Sequence, residues 1–165
     1  MKTEELQKYI QNLSPELYSF AYALIPDDLQ ASQLMIDCVQ VFLIQKKTLV
    51  EKMGLTKNKI VLNLFEETKL NLIKIVYELS RKRYGQLKIS LSDVEESGGF
   101  FSLDFDEKAI LFLKEKTYVD LVQIEYITSM SNSEILSYLY SARIKMTSIM
   151  ANNLFQNEIE SGGNA

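Results

Sequence analysis

The stretch MSNSEILSYLYSARIKM, residues 130–146, combines a helix-start signal with a helical repeat of apolar residues. Ser131 stands three residues before Glu134, a spacing typical of a capping box, in which each side chain bonds the other residue's backbone N–H. A helix is therefore predicted to begin at about residue 132. Apolar residues then recur at intervals of four and three, which predicts one buried face. That face consists of Ile135, Leu139, Ala142, Met146 and Ile149.

A second apolar stripe lies about 100° around the same predicted helix. Leu136, Tyr140 and Ile144 follow one another at intervals of four residues. Two main interpretations stay open. The stripe either widens the core, covered by Phe100 and Phe101, or forms a protein-binding face, because tyrosines beside apolar residues suit interfaces.

Helical runs precede this helix at about 105–116 and 119–128, and the last helix is predicted to continue to about 155. The connection TSMS, residues 128–131, is long enough only for a tight turn. A short helix, a tight turn and a capped second helix are the parts of a helix-turn-helix motif. The sequence predicts that motif here.

The N-terminal half also has a helical period. In SPELYSFAYALIPDD, Ser14 fits a helix cap and Pro15 fits the first helical position. A second helix is predicted through about 31–42. A longer one, at about 58–83, ends in a basic turn of Arg81, Lys82 and Arg83.

From residue 85 to residue 104 the helical stripe is lost, and glycines stand side by side at 98 and 99. We interpret this segment as a linker. The sequence then predicts an all-α protein of two small helical domains, the second containing the helix-turn-helix. The predicted ranges are 1–84 for the first domain, 85–104 for the linker and 105–165 for the second domain.

The amino-acid composition argues against an enzyme and against a metal-binding protein. The chain has no histidine, the commonest general base, and its one cysteine, Cys38, lies in an apolar run that predicts a buried thiol. We therefore expect no enzymatic activity, no cofactor and no metal. No apolar run is long enough to cross a membrane, and the first residues lack the apolar core of a signal peptide, so we expect a cytoplasmic protein.

Charge is divided unevenly along the chain, whose net charge is −4. Residues 1–90 hold 13 Lys and Arg against 10 Asp and Glu, whereas residues 91–165 hold 5 against 12. DNA-binding proteins gain most of their affinity by neutralising phosphates with Lys and Arg. The acidic second half therefore argues against strong DNA binding by that half alone.

Taken together, three segments resemble the sigma-70 family of transcription-initiation factors, of the small extracytoplasmic-function type. YVDLVQIEYITSMSNSEILSYLYSARIKMTSIM, residues 118–150, resembles the family's promoter-reading C-terminal domain. LYSFAYALIPDDLQASQLMIDCVQVFL, residues 17–43, resembles helices of its N-terminal domain. LNLIKIVYELSRKR, residues 70–83, resembles the helix that ends in an arginine-rich turn.

The resemblance implies DNA contacts and protein contacts. The expected DNA-binding residues are Lys74, Arg81, Lys82, Arg83, Ser137, Arg143 and Lys145. Gln33 and Asp37 fall in the stretch that corresponds to the family's polymerase-binding helix. The stripe of Leu136, Tyr140 and Ile144, which is suggested by its spacing and not by the family, is the second expected protein contact. Where the family's recognition helix offers several cations, this one keeps only Arg143 and Lys145, which predicts weakened promoter reading.

Two functional hypotheses follow. The first is a divergent sigma factor that recruits RNA polymerase core to a promoter. The second is a sigma-like interaction protein that binds an anti-sigma factor or another protein without reading DNA. Neither hypothesis calls for a membrane or a small-molecule substrate.

Overall fold

The computed structural model describes residues 2–45, 60–96 and 98–162, and these residues form helices and short connections without a β-strand. The all-α prediction is confirmed for this part of the chain. The elements in order are α1 (Lys2–Leu24), α2 (Asp28–Gln45), α3 (Ile60–Glu96), a 3-10 helix (Gly99–Ser102), α4 (Phe105–Lys116), α5 (Leu121–Thr128) and α6 (Asn132–Gly162).

Helix α1 runs without interruption through Pro15, so the prediction that Ser14 caps a new helix was wrong. The Ser14 hydroxyl instead donates a hydrogen bond to the Ile10 carbonyl oxygen at 2.9 Å. Proline inside a helix lacks one backbone donor and strains the preceding turn. The helix continues because Leu6, Ile10 and Leu13 extend the buried stripe toward the N-terminus.

Helix α2 starts after Asp27, whose carboxylate accepts a hydrogen bond from the Gln30 backbone N–H at 2.8 Å. This is the usual way in which an acidic residue satisfies a free donor of the first helical turn. Cys38 lies in the middle of α2 and is fully buried, as predicted. Burial raises the pKa of its thiol to about 12, so the thiolate is disfavoured at neutral pH.

Helix α3 continues to Glu96, well past the predicted end at residue 83. Residues 85–96, which are 12 of the 20 residues interpreted as a linker, are therefore helical. The helix passes through Gly85, although an interior glycine costs about 1 kcal/mol relative to alanine. Tyr84 and Leu87 are partly buried against the core and hold this extension in place. Residues 58 and 59, where the helix was predicted to begin, lie outside the described residues.

Two glycines shape the connection from α3 to α4. Gly98 has φ 83° and ψ −168°, and Gly99 has φ 70°, so both lie in regions that L-amino acids rarely adopt. The 3-10 helix begins at Gly99, and the Ser102 hydroxyl closes it by donating to the Gly99 carbonyl oxygen at 2.7 Å. This turn places Phe100 and Phe101 side by side, with ring centroids 5.7 Å apart.

We expect Gly98→Ala to lower the free energy of unfolding by about 1–3 kcal/mol, because its backbone conformation is one that only glycine adopts without strain. A Cβ atom would meet nothing within 4 Å, so backbone strain is the whole effect. Gly85→Ala is the matched control: it adds a Cβ in open space inside α3 and should stabilise by about 0.5–1 kcal/mol. Urea unfolding of both variants measures the difference, and equal shifts would contradict it.

One buried cluster contains residues from α1–α3 and from α4–α6. The Phe20 ring of α1 packs against the Phe112 ring of α4 with centroids 5.3 Å apart. The Tyr126 hydroxyl of α5 donates to the Asn71 side-chain oxygen of α3 at 2.8 Å. Segments on both sides of residues 85–104 thus pack against each other, while the domain boundaries stay a prediction.

The corner between α5 and α6 forms where the sequence predicted a tight turn. Ser129 ends α5 in a left-handed conformation with φ 59°, and its N–H donates to the Glu125 carbonyl oxygen. The Ser131 N–H donates to the Glu134 carboxylate at 2.8 Å, and the Glu134 N–H faces the Ser131 hydroxyl at 3.4 Å. The predicted capping box is present, and α6 begins at Asn132.

Candidate functional site

Helix α6 buries one face and exposes another. Ile135, Leu139 and Ala142 are buried, as predicted, whereas Met146 and Ile149 are half-buried. On the outer side, Leu136 is 47% exposed, Tyr140 70% and Ile144 48%. These three residues form what we call the α6 face.

The interpretation of the α6 face as a widened core under Phe100 and Phe101 was wrong. Phe101 packs instead against Tyr22 of α1, with ring centroids 6.2 Å apart at nearly a right angle. Ser137, an expected DNA contact, is also exposed. An apolar and aromatic strip therefore borders solvent along α6.

Both cations of α6 are paired with carboxylates of the α4 region. Arg143 lies 2.6 Å from Glu115. Lys145 lies 2.8 Å from Glu107 and 3.3 Å from Asp104. A phosphate that approached either cation would meet a carboxylate beside it. The local potential is therefore much less positive than the two cations alone would make it.

Glu107 is the most buried carboxylate of this group. Its carboxylate accepts hydrogen bonds from the Ser141 hydroxyl at 2.6 Å, from Lys145 at 2.8 Å and from the Asp104 N–H at 3.0 Å. Burial raises the pKa of Glu107, but the bonds from Lys145, Ser141 and Asp104 together outweigh burial. The net pKa lies below its ordinary value of 4.5. The charged carboxylate of Glu107 thus links α6 to the start of α4.

We expect Glu107→Gln to cost about 1.5–3 kcal/mol of unfolding free energy at pH 7, because it removes charge-assisted hydrogen bonds at a buried site. The folded-state pKa lies below the unfolded one, so this stabilisation is present above about pH 4.5 and is lost as the pH falls through the folded pKa. Urea unfolding at pH 7, 5, 4 and 3 should show the gap between wild type and variant shrinking at the acidic end. A gap that stays constant would contradict the assignment.

The basic turn of α3 is also occupied by internal contacts. Arg81 donates to the Tyr77 hydroxyl at 2.9 Å and lies 3.3 Å from Asp106 at the start of α4. Arg83 lies 2.7 Å from Asp37 of α2. Lys82 is exposed and makes no ion pair or hydrogen bond with the described residues.

Arg83 of α3, an expected DNA contact, is therefore paired with Asp37 of α2, an expected protein contact. Asp37, an expected polymerase contact, binds Arg83 and also accepts a hydrogen bond from the Gln33 side chain at 2.8 Å. Lys74 points to α5: its ammonium donates to the Tyr126 carbonyl oxygen at 3.0 Å and lies 4.6 Å from the Tyr126 ring centroid. Lys74 thus joins α3 to α5.

A large apolar groove, which the sequence did not predict, opens between α1, the 3-10 helix, α4 and α6. Its volume is about 820 Å³. We call it the aromatic groove and define it by Tyr22, Phe100, Phe101, Phe112, Met146 and Met150. The sequence signal that points to it is the pair Phe100-Phe101 directly after two glycines, in an otherwise polar segment.

Among the described residues, no group of three or more Cys, Asp or Glu side chains is arranged to hold a metal ion. No described helix is long and apolar enough to cross a bilayer. A scan of protein-family models, a search of curated proteins and a search of solved structures found no match to this chain.

Proposed function

We propose that this protein is a sigma-like regulator of transcription initiation that acts through a protein partner bound to the α6 face, with promoter reading weakened. The proposal is supported mainly by the exposure of Leu136, Tyr140 and Ile144 on the capped helix. In the family that the sequence resembles, the corresponding helix reads DNA. Tyrosine is enriched among the few residues that supply most of the binding energy of a protein interface.

Electrostatics favours a protein partner over DNA at this helix. A bidentate contact to a base discriminates by roughly 1–3 kcal/mol, and phosphate contacts require available cations. Arg143 and Lys145, the two cations of the expected set on α6, are bound to Glu115 and to Glu107 with Asp104. A partner with an apolar helix would not have to compete with these carboxylates.

A second candidate function, recruitment of RNA polymerase core as a sigma factor, is favoured by the outer side of α2. Leu29 is 75% exposed and Ile36 53% exposed. Both lie beside Gln33, one of the expected polymerase contacts. This surface is separate from the α6 face, so the two contacts can be tested independently.

Tyr140→Asp tests the α6 face. The substitution places a charge in the centre of the proposed interface, and we expect loss of the partner with an unfolding free energy within about 1 kcal/mol of wild type, because Tyr140 is on the surface. The measurement is affinity capture on immobilised protein, with a helical regulator such as an anti-sigma factor and RNA polymerase core offered as purified candidates.

Tyr118→Asp is the matched control, because Tyr118 is also strongly exposed but precedes α5. Partner retention by Tyr118→Asp and loss by Tyr140→Asp would support the proposal. Retention by both variants would contradict it. Loss of polymerase binding in Ile36→Asp but not in Tyr140→Asp would favour the second candidate.

A further inference from the structure

We propose that the aromatic groove is a binding site for a small amphipathic molecule with an apolar body and a single anionic head group, such as a medium-chain carboxylic acid. Small-molecule sites are concave, mostly apolar and roughly 300–1,000 Å³ in volume. At about 820 Å³ the groove falls within this range. The site is independent of the α6 face and of the proposed function.

The walls of the groove are built from rigid rings and adaptable thioethers. Tyr22 and Phe101 pack edge to face, as do Phe101 and Phe100, so the rings hold one another in position. Met146 and Met150 line the side formed by α6, and Met150 is 60% exposed. Methionine is flexible enough to fit varied apolar shapes, so these two residues would adapt to the body of a ligand.

Gly98 and Gly99, at the start of the 3-10 helix, direct the two phenylalanine rings. Positive φ angles at Gly98 and Gly99 turn the chain so that Phe100 and Phe101 both reach the groove. Both rings stay only half-buried there. A ligand would cover apolar surface that the free protein leaves in water, which is the main driving force for binding apolar molecules.

Charge at the rim selects the head group. Lys116, Arg143 and Glu115 line the same groove, so the rim carries two positive charges and one negative charge. Arg143 is paired with Glu115 at 2.6 Å, so Lys116 is the rim cation that a head group would meet. Lys116 is exposed and makes no ion pair with the described residues. The net positive rim favours a carboxylate over a neutral or cationic head.

The test uses three probes that share a ten-carbon chain: decanoate, decanol and decyltrimethylammonium. Isothermal titration should show decanoate binding most tightly and the cation binding most weakly. The thermal midpoint should rise with decanoate concentration, because a ligand that binds only the folded state stabilises it.

Two kinds of variant locate the site. Lys116→Gln should weaken decanoate binding about fivefold or more and leave decanol binding unchanged, since it removes a charged partner of the head group. Lys114→Gln, on α4 but outside the groove lining, is the matched control and should bind like wild type. Ala23→Phe fills the groove and should abolish binding of both probes. Ser19→Trp, at an exposed edge of the groove, serves the same purpose with less risk to folding.

Selective loss in Lys116→Gln together with loss of both probes in Ala23→Phe or Ser19→Trp would support the proposal. Absence of decanoate binding to the wild type would overturn it. Equal affinity for the three probes would also overturn it, because the rim would then make no contribution. Binding that survives the groove-filling variants would place the probe elsewhere and reject the site.

Discussion

Phe20→Ala is expected to lower the free energy of unfolding by about 3–5 kcal/mol, the usual cost of deleting a buried phenylalanine ring. Phe20 is only 1% exposed and contacts the Phe112 ring across the junction between α1 and α4. Its removal would therefore leave a cavity shared by both predicted domains. We expect one cooperative transition in urea, displaced to lower concentration, when it is followed by circular dichroism and by tyrosine fluorescence.

Leu29→Ala is the matched control for this substitution, because Leu29 is 75% exposed on α2. We expect its unfolding free energy to stay within about 0.5 kcal/mol of wild type. Two resolved transitions in Phe20→Ala, with only one of them displaced, would show that the N-terminal and C-terminal helices unfold independently. That result would contradict a shared core.

Ile135→Ala is expected to lower the free energy of unfolding by about 2–5 kcal/mol, because Ile135 is fully buried at the first turn of α6. The neighbouring substitution Leu136→Ala removes a side chain of nearly the same size from the half-exposed α6 face. We expect it to cost less than about 1 kcal/mol, as surface substitutions usually do.

This pair of neighbours reports which side of α6 faces the core. Urea unfolding of the two variants under identical conditions measures the contrast. Equal losses of unfolding free energy would show that the α6 face is buried in solution. A larger loss for Leu136→Ala would show that this face, and not the Ile135 side, points to the core. Either result would remove the basis for a protein-binding surface there.

The second half of the fold was predictable because its signals are local. Ser131 and Glu134 formed the expected capping box, and the helices predicted at 105–116 and 119–128 appear as Phe105–Lys116 and Leu121–Thr128. The ends of α1 and α3 were less predictable. A Ser14-Pro15 pair is typical of a helix start, and Gly85 is typical of a helix end, but packing along both helices outweighed these local preferences.

The candidate site was only partly predictable. The spacing of Leu136, Tyr140 and Ile144 correctly separated an outer face from an inner one. The ion pairs were not foreseen, because they join residues far apart in sequence. Arg83 and Asp37 are separated by 46 positions, and Arg143 and Glu115 by 28. The aromatic groove was missed for the same reason, since four separate elements form it.

The salt dependence of duplex DNA binding distinguishes the protein-binding face that we propose for α6 from a DNA-reading one. Fluorescence anisotropy between about 50 and 200 mM salt gives the slope of log K against log salt, which is about −0.9 per phosphate contact. Wild type is compared with the double variant Arg143→Gln, Lys145→Gln. We expect the same affinity and the same slope for both proteins, because Glu115, Glu107 and Asp104 already occupy the two cations. A slope that is shallower by about 2 in the double variant, together with weaker binding, would show that both α6 cations contact phosphate and that α6 reads DNA.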